Sequence, residues 1–233
     1  MKQAPDGFVR LRDVDSSILE DVRYATPHNF TGDPVPGYDE PMCVLTRPLA
    51  EALHRAQQQL VPEGYSLKVY DCYRPQQADD RFVEWAQNDD HRMKDEFYPG
   101  LAKSELYSAG YIAENSGHSR GSSVDLTLVR LPAAPQRPYV PGEPLHPCTD
   151  PEGKRFPDNS VDMGTGFDCF DDRAHTDDPR ITGEARANRD VLRDAMTSVG
   201  LQGYSGEWWH FNLPDEPFPG EYFDFPVNSA AFR

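Results

Sequence analysis

Positive charge is scarce in this 233-residue chain. Its 23 Lys and Arg stand against 39 Asp and Glu, a formal net charge of −16. Nucleic-acid phosphates and anionic membrane surfaces recruit Lys and Arg, so neither is expected as a partner. Most of the acidic surplus reads as a solvated surface that aids solubility. Long apolar runs are missing too: nothing approaches the roughly 18 consecutive apolar residues that mark a bilayer span. Residues Met1 to Gly7 (MKQAPDG) lack the apolar stretch of a secretory signal, so the expected location is cytoplasmic. Cysteine is sparse. Cys43, Cys72, Cys148 and Cys169 form no CxxC pair, which speaks against a thiolate zinc site. In a chain of this length the expectation is free thiols rather than a disulfide framework. Internal repeats and heptads are absent.

What is present suits a globular protein: 37% hydrophobic residues, 11% of all residues aromatic. The length suits one domain over residues 1–233. Leu49, Leu53 and Leu60 share a face and predict a helix over Thr46 to Leu60, with Thr46 as cap. Ser66 to Asp71 (SLKVYD) alternates as a strand does, and Gln76 to Gln87 returns to helical spacing. Ser123 to Val129 (SVDLTLV) and Trp208 to Asn212 (WWHFN) predict further strands, and Glu184 to Val199 a helix ending at Gly200. Between them a proline-rich stretch at about 131–162 predicts a long loop or insertion. The sum is an α+β fold, a single domain whose mostly antiparallel central sheet is flanked by helices.

Two segments carry chemistry. Ser116-Gly117-His118-Ser119-Arg120-Gly121-Ser122-Ser123-Val124-Asp125 holds an imidazole and a carboxylate; Glu207-Trp208-Trp209-His210 holds a second imidazole and a spare glutamate. Catalytic zinc usually takes three His, Asp or Glu ligands and leaves a fourth position for water. A carboxylate outside that set can serve as general base. On one helix His118 and Asp125 would lie about 10 Å apart, so Gly121-Ser122-Ser123 must fold the chain back. Asp125 lies among Val124, Leu126 and Leu128, where an ionised carboxylate is costly unless paired or bound to metal. The alternative is an Asp125–Arg120 ion pair with His118 capping a turn. Alternation places Glu207 and His210 on opposite faces, so Glu207 is expected in the turn after Gly206, and His210 inward with Trp208.

These segments, with Asp71-Cys72-Tyr73-Arg74-Pro75-Gln76, resemble the D-alanyl-D-alanine dipeptidases, the VanX-type zinc peptidases of vancomycin resistance and cell-wall dipeptide reuse. Arg23-Tyr24-Ala25-Thr26, Asn29-Phe30-Thr31-Gly32, Gly37-Tyr38, Met163-Gly164-Thr165, Phe167-Asp168 and Tyr222-Phe223-Asp224-Phe225-Pro226 extend the likeness along nearly the whole chain. The resemblance implies one zinc per chain on His118, Asp125 and His210, with Glu207 as base and Arg74 stabilising the oxyanion. It implies that Asp168 and Tyr24 receive the ammonium of a small dipeptide and that Ser116 meets its carboxylate. Asp71, three residues before Arg74, would orient that arginine. Two departures stand out: Gly117 where the family often has serine, and the length of the 131–162 stretch.

Rival readings remain open on sequence alone. One is a zinc D,D- or L,D-carboxypeptidase acting on longer peptidoglycan peptides; another is a non-catalytic zinc-binding domain. Arg74 could form only a surface salt bridge with Asp71 or Asp79. His175 in its acidic loop reads as solvated, Cys72 and Cys169 lack the cationic surroundings of a nucleophile, and Trp208 and Trp209 read as core and pocket wall. The choice between monomer and homodimer stays open.

Overall fold

The computed structural model describes residues 2–232. The chain opens with strand β1 (Phe8–Arg10), the single turn α1 (Leu11–Val14), and strands β2 (Leu19–Glu20) and β3 (Val44–Thr46). Helix α2 (Arg47–Leu60), strand β4 (Tyr65–Asp71), helix α3 (Gln76–Ala86) and the turn α4 (Lys94–Phe97) follow. Strand β5 (Ser123–Arg130), helix α5 (Gly183–Ser198) and the hairpin of β6 (Gln202–Tyr204) and β7 (Glu207–Asn212) complete the sequence of elements. β1 and β3 form a small ribbon, while the main sheet runs β2-β4-β5-β7-β6. Only the edge pair β2–β4 is parallel. This is the α+β architecture expected from the sequence.

Strand β5 sorts the molecule into two sides. Val124, Leu126 and Leu128 are fully buried in one core with Leu49 and Leu53 of α2 and Leu192 and Met196 of α5. Each such side chain contributes roughly 1.5–3 kcal/mol by leaving water. The alternate residues Ser123, Asp125 and Thr127 point the other way, as strand geometry requires. There a second, aromatic cluster of Tyr24, Phe30, Tyr73, Phe82 and Trp85 packs around α3. A polar row therefore faces an aromatic wall, and the functional cavity lies between them.

The expected helices form within a residue or two of their predicted ends. Thr46 does occupy the cap position of α2, but its buried hydroxyl makes no capping bond; Pro48 in the first turn helps start the helix instead. No helix or strand occurs between Arg130 and Asp172, so the proline-rich stretch is a loop. It is nevertheless anchored. Asp158 binds buried Lys68 (Nζ to Oδ1 2.5 Å), Arg23 and the Tyr70 hydroxyl, and Val161 N–H donates to the Leu128 carbonyl (2.9 Å).

The free-thiol expectation is overturned. Cys43 pairs with Cys72 and Cys148 with Cys169, and no cysteine is free. The partners are 29 and 21 residues apart, a non-local pairing that no CxxC spacing announces. Cys43 directly precedes β3 and Cys72 directly follows β4, where Tyr73 N–H meets the Val44 carbonyl (2.7 Å). Strand placement, invisible in composition, brings those two sulfurs together. No helix among the described residues is long and apolar enough to cross a membrane.

Candidate active site

Three strands set the site's floor. Register places Asp71 of β4 opposite Asp125 of β5, and Asp125 opposite His210 of β7. Cross-strand neighbours in register present their side chains on the same face. His118 arrives from a single helical turn, His118–Arg120, closed by Gly121 at φ 69°, a left-handed conformation that glycine adopts freely. The expected fold-back between residues 118 and 125 is thus present.

Donor atoms of His118, Asp125 and His210 all lie within 4.8 Å of one another. His118 Nε2 stands 3.3 Å from Asp125 Oδ1, and His210 Nδ1 3.0 Å from the same oxygen. The ring nitrogens facing away have their own partners. His118 Nδ1 donates to the Cys72 carbonyl (2.8 Å), and His210 Nε2 to Asn212 Oδ1 (3.0 Å). Those bonds fix the tautomers, leaving one lone pair on each imidazole aimed at the common centre, as metal-binding histidines require. Asn212 also accepts from Ser123 Oγ (2.6 Å). That hydroxyl lies in the space beside Gly117, where a Cβ would come within 2.1 Å of it.

Glu207 is the first residue of β7 rather than part of the preceding turn. Pairing with β6 jumps from Gly203↔Phe211 to Tyr204↔Glu207, so residues 208–210 bulge and strict alternation is lost. Glu207 and His210 consequently line the same cavity, with Glu207 Oε2 3.8 Å from His210 Nδ1. Trp208, expected to share His210's direction, instead donates to Thr165 Oγ1 (2.8 Å) and does not line that cavity. Trp209 lies in the core against Phe167.

Arg74 is no surface residue. Its Nε and Nη2 both reach Asp71 Oδ2 (3.0 and 2.8 Å), its Nη1 reaches Asp79 Oδ1 (3.0 Å), and its side chain is 13% exposed. Nη2 lies 4.0 Å from Asp125 Oδ2, so the guanidinium borders the metal-type cluster. Tyr24 and Phe82 stack beneath it, each ring centre 5.2 Å away. The alternative Asp125–Arg120 pair does not form: Arg120 binds Glu216 (2.7 Å). His175 is solvent-exposed beside Asp172, as expected.

The remaining expected residues border one cavity of about 260 Å³, which Tyr24, Arg74, Ser116, His118, Asp125, Asp168, Glu207 and His210 line together. Asp168 Oδ2 accepts from Tyr24 Oη (2.6 Å), and Ser116 Oγ accepts from the His118 N–H (3.2 Å). Asp71 lies behind Arg74, fully buried, and accepts from Tyr38 Oη (2.5 Å). Sequence reasoning missed Asn212, Tyr38 and Ser119 as supports. Asn212 follows His210 by two residues on a strand, so its shared face was readable; Tyr38 and Ser119 meet their partners only through the tertiary fold.

Electrostatics favour a cation at this centre. Asp71, Asp79, Asp125, Asp168 and Glu207 converge where Arg74 supplies the permanent positive charge. Burial works against the Asp125 carboxylate, yet His118 and His210 hold it well below the usual range. Burial pushes Glu207 up to about 7, with Asp125 and Asp168 adding to the rise and His210 opposing it. Asp168 is likewise pushed up to about 7, by burial first, with the Tyr24 hydrogen bond opposing. Carboxyls crowded and desolvated in this way are those a divalent cation would relieve. The His-Asp-His donor set, closed behind by hydrogen bonds and open towards the cavity, fits zinc.

Comparison with known proteins agrees with this geometry. The family model described as D-Ala-D-Ala dipeptidase, in peptidase family M15, matches residues 4–134 and 157–228 and leaves 135–156 unmatched. A D-alanyl-D-alanine dipeptidase of Enterococcus faecium is 40% identical over 222 residues, covering 95% of this chain and 98% of the relative. Those of Streptomyces coelicolor and Escherichia coli are 39% and 31% identical, covering 94% and 83% of this chain and 98% and 78% of their own lengths. The chain belongs to the D-Ala-D-Ala dipeptidase family of peptidases.

Proposed function

We propose that this protein is a zinc-dependent dipeptidase that hydrolyses D-alanyl-D-alanine. The observation that carries the proposal is one small cavity in which the His118, Asp125 and His210 donors converge beside Glu207 and Arg74. Zinc held by the three donors would supply Lewis acidity and an activated water near neutral pH. Glu207 Oε2 then accepts a proton as the peptide carbonyl is attacked and returns it to the leaving amine. Arg74, held by Asp71 and Asp79, faces the carbonyl oxygen as it gains charge; one such donor is worth about 3 kcal/mol. Asp168 and Tyr24 receive the substrate ammonium, and Ser116 meets its carboxylate.

The size of the site supports a short substrate. About 260 Å³ lies below the roughly 300–1,000 Å³ typical of drug-sized ligands. An acylated peptide would also cover Asp168 with a group that bears no charge, leaving a buried carboxylate without a counter-charge. Both disulfides are buried, and such bonds persist in oxidising surroundings. A cytoplasmic location therefore requires them to stay closed against thiol reductants.

Metal analysis of the purified protein, then parallel assays of D-Ala-D-Ala and an acylated pentapeptide, test the reading. Zinc at one per chain with turnover of the dipeptide alone is expected. Preferential cleavage of the pentapeptide would establish the carboxypeptidase instead. Glu207→Gln should keep zinc and lose turnover by ~10²–10⁴-fold, the worth of a general base. Bound zinc without turnover in the unaltered protein would leave only a binding domain.

A further inference from the structure

The residue assigned to the substrate ammonium is held in an unusual backbone state. Among the described residues, Asp168 is the one non-glycine residue with positive φ, at 57°. Such a conformation persists where the surroundings over-determine it. The constraint comes from both sides of the residue, and from one cysteine. The Cys148 carbonyl accepts the Gly166 N–H (2.8 Å), two residues before Asp168, while the Cys148 sulfur is bonded to Cys169, one residue after it. Gly166 lies so close that a Cβ there would stand 3.4 Å from Cys148 Cβ.

Cys148 is itself anchored, its N–H donating to the Glu96 carbonyl (2.9 Å). Beyond the bracket, Phe167 stacks on Tyr70 (ring centres 4.4 Å apart), and Phe170 N–H donates to the Phe97 carbonyl (2.8 Å). Cys148 lies within residues 135–156, the segment that the family model leaves unmatched. The bracket around Asp168 is thus supplied by a segment outside the residues that the family model matches.

We infer that the Cys148–Cys169 disulfide is a positioning device for the amine pocket: the unmatched segment staples the Asp168 loop so that this carboxylate meets a protonated substrate amine. The inference rests on the assignment of Asp168 to the ammonium. Its consequence falls on substrate binding more than on the chemical step, because His118, Asp125, His210 and Glu207 lie on other segments.

The test compares wild type, Cys148→Ala/Cys169→Ala, Asp168→Asn and the triple variant with D-Ala-D-Ala, zinc content being measured for each. Opening the bracket should raise KM about tenfold, the scale of a modest misplacement of a binding group, with kcat within about twofold and zinc unchanged. Asp168→Asn should raise KM as well, and adding the cysteine changes to it should raise KM no further. If Asp168→Asn leaves KM unchanged, the ammonium assignment falls, whatever the cysteines do. If Asp168→Asn raises KM but the cysteine variant does not, or the two effects simply multiply, the positioning inference is overturned and the assignment stands. Should the cysteine variant fail to fold, dithiothreitol reduction of wild type, with opening of Cys148–Cys169 verified by alkylation and mass spectrometry, replaces it. KM should then rise, recover on reoxidation and be insensitive to reduction in Asp168→Asn; an unchanged KM in reduced wild type overturns the inference.

Discussion

Asp79 gives the sharpest test of how the arginine is held. It is 1% exposed and accepts two hydrogen bonds, from Arg74 Nη1 (3.0 Å) and from Ser119 Oγ (2.7 Å). Asp79→Ala removes both acceptors and leaves two donors beneath the cavity without them. A buried polar group left unmet costs about 1–3 kcal/mol. The Ser119 hydroxyl can rotate and Arg74 keeps both bonds to Asp71, so the total should lie near 3 kcal/mol. At roughly 2–4 °C per kcal/mol for a chain of this size, Tm should fall by about 6–12 °C. With one arm released the guanidinium should swing on its Asp71 hinge and give about a tenth of the fold-loss that removing an oxyanion donor gives, hence a ~10–100-fold fall in kcat. Asp79→Asn retains an acceptor and should lose less of each. Differential scanning calorimetry and steady-state dipeptide kinetics read both effects. An Asp79→Ala protein with wild-type Tm and wild-type kcat would refute the claim that Arg74 depends on this partner.

Other consequences follow from different parts of the molecule. Burial opposes the Asp158 charge, but Lys68 and Arg23 hold its folded pKa far below the ordinary carboxylate value of about 3.9. That stabilisation is complete above about pH 5 and lost as pH falls through the folded pKa, so Asp158→Asn should lower neutral stability and flatten the acid limb of a pH–stability curve. An unaltered acid limb would contradict this. Chelator treatment should abolish turnover and lower Tm, both restored by zinc, because a ligand at 100 times its Kd contributes about 2.7 kcal/mol to the folded state; a metal-stripped sample with unchanged Tm would contradict tight binding. Leu126→Ala, at a fully buried position, should cost ~2–5 kcal/mol by urea unfolding, with a destabilisation below 1 kcal/mol showing that the sheet's helix-side core is not as packed as described.

The sequence exposed those parts of the fold whose signals are local. Helices α2, α3 and α5 and strands β4, β5 and β7 follow from spacing because each carries its apolar residues at a helical or strand period. The two-strand ribbon and the edge strand β2 did not, being only two or three residues long and held by tertiary pairing. Within the site, His118, Asp125, Arg74, Glu207 and His210 stood out as chemistry-bearing residues in motifs. Their common cavity depends on the Asp71–Asp125–His210 row, on a bulge in β7 and on glycine geometry at 121, none of which a single strand or helix encodes. The bulge also accounts for Glu207: parity predicts opposite faces, and the extra residues 208–210 in the ladder remove that prohibition. The disulfides leave no local mark, because their partners, 29 and 21 residues apart, meet only through tertiary placement.

Gly117 and Ser123 are sterically coupled. The glycine's φ is ordinary, so its absence of a side chain serves space alone, and that space holds the hydroxyl that grips Asn212. A lone Gly117→Ser exchange would evict that hydroxyl and loosen the amide that sets the His210 ring. The exchange becomes tolerable only together with a smaller residue at 123, so any redesign of this turn must treat the two positions as a pair.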